Sequence, residues 1–218
     1  MFNTKILDQI EVLTHSSIRI GGDKVLYIDP FQMQKEDHDA DIVLITHDHG
    51  DHFSPDDLEK VVNADTVLVV PELLAGRCGD MFKDNRVVAV KPNQKLCECE
   101  IAIETIPAYN HHKPFHPKKK GWVGYILTIE DTRVYIAGDT DATPDNQSVV
   151  CDIALVPIGG TYTMTAKKAA ELINWIRPAV AIPTHYGSIV GKPEDAEVFQ
   201  KAVEAGIRVE IKMFRADE

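Results

Sequence analysis

The sequence lacks the features of membrane-spanning and secreted proteins. No apolar run reaches the about 18 residues that a transmembrane helix needs. The first residues carry neither the basic nor the apolar region of a secretory signal, so we expect a cytoplasmic location. Basic residues are scarce: 23 Lys and Arg face 34 Asp and Glu, which gives a net charge of −11. This balance argues against nucleic acids and anionic membranes as partners and favours a small-molecule substrate.

Cysteine is also rare, and the four cysteines form no CxxC pair. A zinc knuckle or a thioredoxin-type motif therefore has no support, and we expect reduced thiols, because a chain of this size folds without disulfides. Internal repeats, low-complexity tracts and flexible linkers are absent as well. The 218 residues, of which 44% are hydrophobic, fit one domain spanning residues 1–218, and the composition leaves a homo-oligomer open.

Short apolar runs separated by turn residues predict many strands and few helices. The predicted strands are Ile10–Thr14, Ser17–Ile20, Lys24–Ile28, Ile42–Ile45, Thr66–Val70, Arg86–Val90, Glu100–Ile106, Trp122–Ile129, Arg133–Ala137, Ile153–Pro157, Val180–Pro183 and Arg208–Ile211. The predicted helices are Pro55–Asn63, with Ser54 as its N-cap, Glu72–Arg77, Ala166–Ile176 and Glu194–Ala205. Strands and helices alternate in the last third, as in β–α units. The sequence therefore predicts an α/β or α+β fold with the helices outside the sheets.

The densest group of ligand-type side chains follows the apolar strand Ile42–Ile45. It has three imidazoles and one carboxylate within six residues, namely His47, His49, Asp51 and His52. Alternate residues of an extended segment point the same way, so the first two histidines can share one metal ion. Gly50 permits a sharp turn that can direct the aspartate and the last histidine towards a second ion. An HxHxDH motif at a strand end thus indicates a metal site.

Two more ligand-type residues lie just beyond predicted strands. Asp139 follows the strand Arg133–Ala137, and His185 follows the strand Val180–Pro183. Alone, such an aspartate could cap a turn and such a histidine could lie in the core. Because open α/β sheets gather their sites at strand ends, we expect both residues to join the histidine group.

Together with the segments YNHHKPFHPKKKGWVGY and DIALVPIGGTYTM, these motifs resemble the metallo-β-lactamase-fold hydrolase superfamily. The chain is most similar to compact members that resemble L-ascorbate-6-phosphate lactonase, and it lacks the GHTPG segment of glyoxalase II. The resemblance covers essentially the whole chain. It implies a four-layer αββα sandwich in a single domain, with a metal centre at one edge.

The resemblance also implies two metal sites. The first would consist of His47, His49 and a histidine of the Ala108–Gly121 loop, and the second of Asp51, His52 and His185, with Asp139 bridging the ions. Imidazole-rich sites suit zinc, and the added carboxylates also suit manganese or iron. We therefore expect two divalent ions, most readily zinc, with Asp51 and Asp139 as the catalytic carboxylates.

The loop offers three histidines for the first site, His111, His112 and His116, and spacing alone does not choose between them. Pro117 restricts His116 to extended backbone conformations and so gives it a fixed presentation. The segment KPFHPK also resembles the matching stretch of lactonase-like proteins. Both observations favour His116.

Four polar residues lie outside the implied ligand set. By the resemblance, Asp29 closes an early strand beneath the site and orients a ligand histidine. Asp48 lies either behind the ligands or in solvent. His15 either faces the pocket or lies on the surface, and His38, in the charged stretch KEDHDAD, is expected on the surface.

The substrate side is predicted from the loop Tyr109–Lys120, which carries four lysines in a chain that is otherwise acidic. These cations either attract a phosphate or carboxylate or form a solvated run. Gly159–Thr163 either cradles an anion at the N-terminus of the following helix or only precedes a cap at Thr165. The residues expected to contact the substrate are Tyr109, Lys113, Thr161 and Tyr186.

The expected activity is hydrolysis of a small, anionic ester, lactone or phosphoester by a hydroxide held on the two ions. A phosphodiesterase or nuclease of the same fold is one alternative, and the acidic composition and short length count against it. The other alternative is a metal- or redox-sensing module without catalysis, against which the full ligand set counts.

Overall fold

Two β-sheets and six α-helices make up the structure, a computed structural model that describes residues 4–111 and 113–213. The first sheet contains, in spatial order, β1 (Ile10–Thr14), β2 (Ser17–Ile20), β3 (Leu26–Ile28), β4 (Ile42–Leu44), β5 (Val67–Pro71) and β6 (Arg86–Val90). The second contains β7 (Lys95–Glu98), β8 (Ile101–Pro107), β9 (Val123–Ile129), β10 (Thr132–Ile136), β11 (Ile153–Pro157), β12 (Val180–Thr184) and β13 (Arg208–Val209). The helices are α1 (Thr4–Gln9), α2 (Pro55–Val61), α3 (Glu72–Met81), α4 (Pro144–Gln147), α5 (Ala166–Ile176) and α6 (Asp195–Ala202).

Each sheet changes from antiparallel to parallel pairing part-way across. In the first sheet β1, β2 and β3 pair antiparallel, and the strands from β3 to β6 pair parallel. In the second, the strands from β7 to β10 pair antiparallel and those from β10 to β13 parallel. The parallel strands β4, β5, β11 and β12 are buried along their whole length, as expected of strands that are covered on both faces.

Side chains alternate across both sheets and so define four layers. Ile42 and Leu44 of β4 lie in the apolar core between the sheets, whereas Val43 packs in a second core with α2 and α3. In β11, Leu155 faces the core between the sheets, and Ala154 faces a third core that includes α5 and α6. The order is helices, sheet, sheet, helices. The predicted αββα sandwich is therefore confirmed.

Agreement with the predicted elements is best where the apolar pattern is strong. Strand β11 and helix α5 have the predicted limits. The sequence pattern did not predict β7, α1 and α4, which are short, and β7 is only partly buried. Helix α3 continues to Met81, beyond the predicted end at Arg77, while α6 and β13 are shorter than predicted.

Ser54 is the N-cap residue of α2, as predicted, but its side chain makes no capping hydrogen bond. Its hydroxyl donates instead to the carboxylate of Asp57 at 2.8 Å. That carboxylate also accepts the backbone N–H groups of Gln32 and Met33. The polar side chains at the start of α2 therefore tie the helix to the segment after β3. Within the described residues, no helix has both the length and the apolar character needed to cross a membrane.

Strand ends of both sheets meet at one edge of the sandwich. Strand β4 leads into the HxHxDH segment, β10 leads to Asp139, and β12 leads to His185. The β1–β2 connection brings in His15, and the loop between β8 and β9 brings in His116. Because parallel strands gather their carboxyl ends at one edge, residues that are distant in the sequence become neighbours.

Candidate metal centre

Three histidines, which we call the first cluster, lie at this edge: His47, His49 and His116. Their ring centroids are 4.6 Å (His47–His49), 5.2 Å (His47–His116) and 4.8 Å (His49–His116) apart. Their potential ligand atoms lie within 4.8 Å of one another, and His47 and His116 are almost completely buried. Rings at similar separations around one point have the arrangement of three imidazole ligands of one ion.

The loop after β8 contributes His116 to this cluster, whereas His111 is exposed. His112 lies outside the described residues. The backbone of His116 has a φ of +55°, so the expected extended conformation before Pro117 is wrong. The carbonyl of His116 accepts the N–H of Asn110 at 2.8 Å, and this bond holds the turn.

A second cluster consists of His15, Asp51, His52 and His185, whose potential ligand atoms also lie within 4.8 Å of one another. The Nε2 atoms of His52 and His185 are each 3.7 Å from Oδ2 of Asp51. The Nε2 atom of His15 is 3.1 Å from the same oxygen. Unlike the first cluster, the second therefore combines imidazoles with a carboxylate.

Asp139 lies between the two clusters. Its Oδ2 is 3.2 Å from Nε2 of His116 in the first cluster and 3.1 Å from Nε2 of His185 in the second. Its Oδ1 is 3.3 Å from Nε2 of His52. The side chain is buried. Asp139 is therefore a buried carboxylate that contacts both clusters.

Several buried atoms of the clusters have no hydrogen-bond partner among the described residues. They are Nε2 of His47, His52, His116 and His185 and Oδ1 of Asp139. An unsatisfied buried polar atom is rare and costs about 1–3 kcal/mol. Because these atoms lie close together without hydrogen bonds between them, they surround a space that a cation would fill. Imidazole nitrogens and carboxylate oxygens are the donors that zinc, manganese and iron take in proteins, so the residues fit divalent ions.

Asp29 and Thr46 hold two of these histidines from behind. Oδ2 of Asp29 lies 2.7 Å from Nδ1 of His52 and accepts the hydroxyl of Thr46 at 2.6 Å. The hydroxyl oxygen of Thr46 in turn lies 3.0 Å from Nδ1 of His47 and accepts from it. Both imidazoles therefore donate from Nδ1 and keep Nε2 for a metal, the arrangement by which outer partners orient histidine ligands.

The backbone around the centre is strained at four non-glycine residues. His15, Asp29, His116 and His185 have φ values of +50°, +48°, +55° and +57°. Such conformations are sparsely populated for residues with a side chain. These four are among twelve non-glycine residues with a positive φ in the described part of the chain, and each of the four forms or supports a cluster.

The two clusters differ in their affinity for protons. Burial lowers the pKa of His47 well below its usual range and also lowers the pKa of His49. Burial acts in the same direction on His52 and His185, but nearby carboxylates together outweigh it and raise the pKa of both: Asp139 and Asp29 act on His52, and Asp139 and Asp51 act on His185. These two histidines in turn hold the pKa of Asp139 well below its usual range despite its burial. Without metal, the lowered pKa values of His47 and His49 favour neutral imidazoles, whereas the raised pKa values of His52 and His185 favour protonated ones.

Comparison with known proteins places this site in a family. The sequence model of the family described as a beta-lactamase superfamily domain matches residues 9–185. This chain belongs to the metallo-β-lactamase superfamily of metal-dependent hydrolases. A UPF0173 metal-dependent hydrolase of Archaeoglobus fulgidus is 30% identical, over 96% of this chain and 97% of the relative. One from Pyrococcus horikoshii is 28% identical, with the same coverage of both chains.

Solved structures of metallo-β-lactamase-fold proteins resemble this hydrolase along most of its length. A protein of Parabacteroides distasonis, assigned to the metal-dependent hydrolases, is 31% identical with a TM-score of 0.78, over 93% of this chain and 91% of that chain. The metallo hydrolase Igni18 of Ignicoccus hospitalis is 21% identical with a TM-score of 0.74, over 93% of both chains. The latter likeness shows the fold alone. The lactonase-like branch stays a prediction.

Two of the residues predicted to contact substrate are engaged with other parts of this hydrolase. Nζ of Lys113 donates to the carboxylate of Asp141 and to the carbonyl of Thr163. The hydroxyl of Tyr109 donates to Asp145 at 2.7 Å. These contacts connect the loop that carries His116 to the segments after β10 and β11.

The other two predicted substrate residues lie in different surroundings. Thr161 is exposed, and Tyr186 is buried in the core beneath α5 and α6. The hydroxyl of Thr165 accepts the N–H of Lys168 at 3.3 Å, so Thr165 caps α5. Substrate contacts of Tyr109, Lys113, Thr161 and Tyr186 stay predictions.

The sequence alone left two positions open for His15 and did not single out Trp122. His15 is completely buried in the second cluster, so the surface alternative is wrong. The ring of Trp122 lies 5.0, 4.8 and 5.4 Å from the three rings of the first cluster and covers one side of it. Asp48 is partly buried and lies outside both clusters, and His38 is exposed. No local pattern marked Trp122, because its contacts come from the packing of β9 against the HxHxDH segment.

Proposed function

We propose that this protein is a dinuclear metallohydrolase that acts on a small, anionic ester, lactone or phosphoester. The observation that carries the proposal is the position of Asp139. Its Oδ2 lies within 3.2 Å of a histidine nitrogen from each cluster, and the side chain is buried. One carboxylate shared in this way supports two ions rather than one.

The first cluster would hold one ion and the second cluster the other. When bound, two such ions activate water at neutral pH and polarise the scissile bond of the substrate. The imidazole-rich donor set favours zinc, and the carboxylates of Asp51 and Asp139 also suit manganese or iron. Two dications opposed by two carboxylates leave a positive centre, which favours an anionic substrate.

The residues of the protein supply orientation and exclude water. Asp29 and Thr46 fix two imidazoles through Nδ1, and Asp139 keeps the two clusters at a set separation. The buried ring of Trp122 covers the first cluster and limits the access of solvent on that side. In such a partly dry site, the charges act more strongly on the substrate than they would in water.

Metal analysis combined with a substrate panel tests the proposal. Protein stripped of metal and reconstituted with zinc, manganese or iron should bind two ions per chain and hydrolyse a lactone, ester or phosphomonoester from a panel that also contains phosphodiesters. Asp139→Asn should bind fewer than two ions, unfold cooperatively, and lose more than about 100-fold in kcat, beyond the range of changes in outer partners. The matched control is His38→Ala, an exposed histidine outside both clusters.

Three outcomes would contradict the proposal in different ways. A ratio of one ion per chain in excess metal excludes the dinuclear centre. Two bound ions without turnover of any substrate favour the sensing module. Turnover confined to phosphodiesters or RNA favours the nuclease alternative.

A further inference from the structure

His15 occupies a strained position in the backbone. It is the first of the two residues, His15 and Ser16, that join β1 to β2, and its φ is +50°. Two-residue hairpin connections with a positive φ at this position favour glycine, which has no side chain to be strained. For other residues such conformations cost about 1–3 kcal/mol and persist where the surroundings impose them. Histidine is therefore not a residue that this turn favours.

The imidazole is also buried at a cost. It is inaccessible to solvent, and its Nδ1 has no hydrogen-bond partner in the described part of the chain. An unsatisfied buried nitrogen lowers stability by about 1–3 kcal/mol. Glycine at position 15 would avoid both costs, so the stability of the turn does not explain the histidine.

His15 contacts two members of the second cluster. Its Nε2 lies 3.1 Å from Oδ2 of Asp51. Because an ionised carboxylate only accepts hydrogen bonds, Nε2–H is the donor. The carbonyl of His15 accepts the backbone N–H of His185 at 2.8 Å. His15 therefore holds Asp51 through its side chain and His185 through its backbone, and so joins the edges of the two sheets.

Ring separations distinguish a supporting role from ligation. Rings within the first cluster are 4.6–5.2 Å apart, and the rings of His52 and His185 are 5.4 Å apart. The rings of His15 and His185 are only 3.9 Å apart, closer than any of these pairs. Rings that bind one ion diverge from it, whereas His15 packs on the ring of His185.

We propose that His15 is a positioning residue for the ion of the second cluster: it holds Asp51 and His185 in place and does not bind the ion itself. This inference rests on the dinuclear function proposed above. Glutamine at position 15 preserves an N–H donor near Asp51, and phenylalanine preserves a ring without a donor, so His15→Gln and His15→Phe separate the hydrogen bond from the packing.

The experiment is a titration of metal-free full-length protein with Co²⁺, followed by visible absorption and by competition with a chelator. In His15→Phe the affinity for the second equivalent should fall by about 10–100-fold, the usual effect of losing an outer partner of a ligand. In His15→Gln that affinity and the spectrum of the second cobalt ion should stay near those of the wild type, because no ligand is lost. The affinity for the first equivalent should be unchanged in both variants.

Two results would overturn the inference. Wild-type affinity for the second equivalent in His15→Phe would show that Asp51 needs no bond from His15. An equal loss in both variants, with an altered cobalt spectrum in His15→Gln, would make His15 a ligand. If phenylalanine abolishes cooperative unfolding, His15→Leu makes the same comparison with a smaller side chain. If the wild-type protein binds a single cobalt ion, the dinuclear function itself is overturned. The titration of the wild type alone shows this, so it is distinct from a failure of the His15 inference, which only the variants show.

Discussion

The two clusters use similar side chains but are assembled differently. Two of the three imidazoles of the first cluster, His47 and His49, come from one short segment after β4. The second cluster draws His15, Asp51, His52 and His185 from three separate parts of the chain and depends on both sheets. Burial lowers the pKa of His47 and His49 in the first cluster, whereas neighbouring carboxylates raise the pKa of His52 and His185 in the second. The comparison predicts that an ion bound by the second cluster displaces more protons than one bound by the first.

Removing His116 should cause the largest change in metal affinity, and it should change the first cluster rather than the second. His116→Ala should lower the affinity for the first ion by more than about 100-fold, because the loss of a ligand exceeds the loss of an outer partner. His111→Ala is the matched control, since that histidine is an exposed residue of the same loop. Chelator competition with metal-free protein measures both affinities.

The same titration includes His112→Ala, because His112 lies outside the described residues. If His116→Ala binds the first ion like the wild type while His111→Ala or His112→Ala binds it more weakly, the third ligand is the histidine whose replacement weakens binding. If all three variants lose the second ion instead of the first, the division into two clusters is wrong.

The affinities for the first and the second ion should depend differently on pH. This difference should be smaller than the effect of removing His116. The pKa of His52 and of His185 is raised above the ordinary value of 6.5, which favours protons that must leave when metal binds. The pKa of His47 and of His49 is lowered, which favours imidazoles that are already unprotonated above pH 6.5. Above this pH, the affinity for the second ion should rise by up to about tenfold per pH unit for each proton displaced, and the affinity for the first should rise less steeply.

Calorimetry in buffers of different ionisation enthalpy counts the protons released at each step. Titration of the metal into the same buffers with a simple chelator provides the control. Equal proton release for the two ions would contradict the difference between the clusters.

Local patterns predicted most strands and helices and the HxHxDH part of the first cluster, whereas the four-layer sandwich and the loop histidine were implied by the resemblance to the superfamily. Strand β11 and helix α5 are bounded by periodic apolar residues and by a cap at Thr165, and their limits match the prediction. His47 and His49 are two residues apart at a strand end. Short or half-exposed elements such as β7 and α4 carry too little apolar pattern to be recognised.

The role of His15 could not be predicted, because it depends on contacts between distant residues. Its partners Asp51 and His185 lie 36 and 170 residues further along the chain. The positive φ of His15 belongs to a turn that the local sequence, His15-Ser16, does not favour. For the same reason, Lys113 looked like an available cation in the sequence, whereas its partners Asp141 and Thr163 follow two later strands.

Lys113→Met should have the smallest effect and should act on the first cluster alone. Nζ of Lys113 anchors the loop of His116 to Asp141 and Thr163, and its side chain is 27% exposed. Losing these partly buried, charge-assisted bonds should lower the free energy of unfolding by about 1–2 kcal/mol. A looser loop presents His116 less firmly, so the affinity for the first ion should fall by less than about tenfold, below the usual cost of losing an outer partner.

Denaturant unfolding and chelator competition measure the two effects of Lys113→Met. The control is Lys119→Met, at an exposed lysine of the same loop. The KM of an anionic substrate decides between this anchoring role and substrate contact: an anchor leaves KM near the wild-type value and lowers stability, whereas a substrate-binding lysine raises KM and leaves stability unchanged.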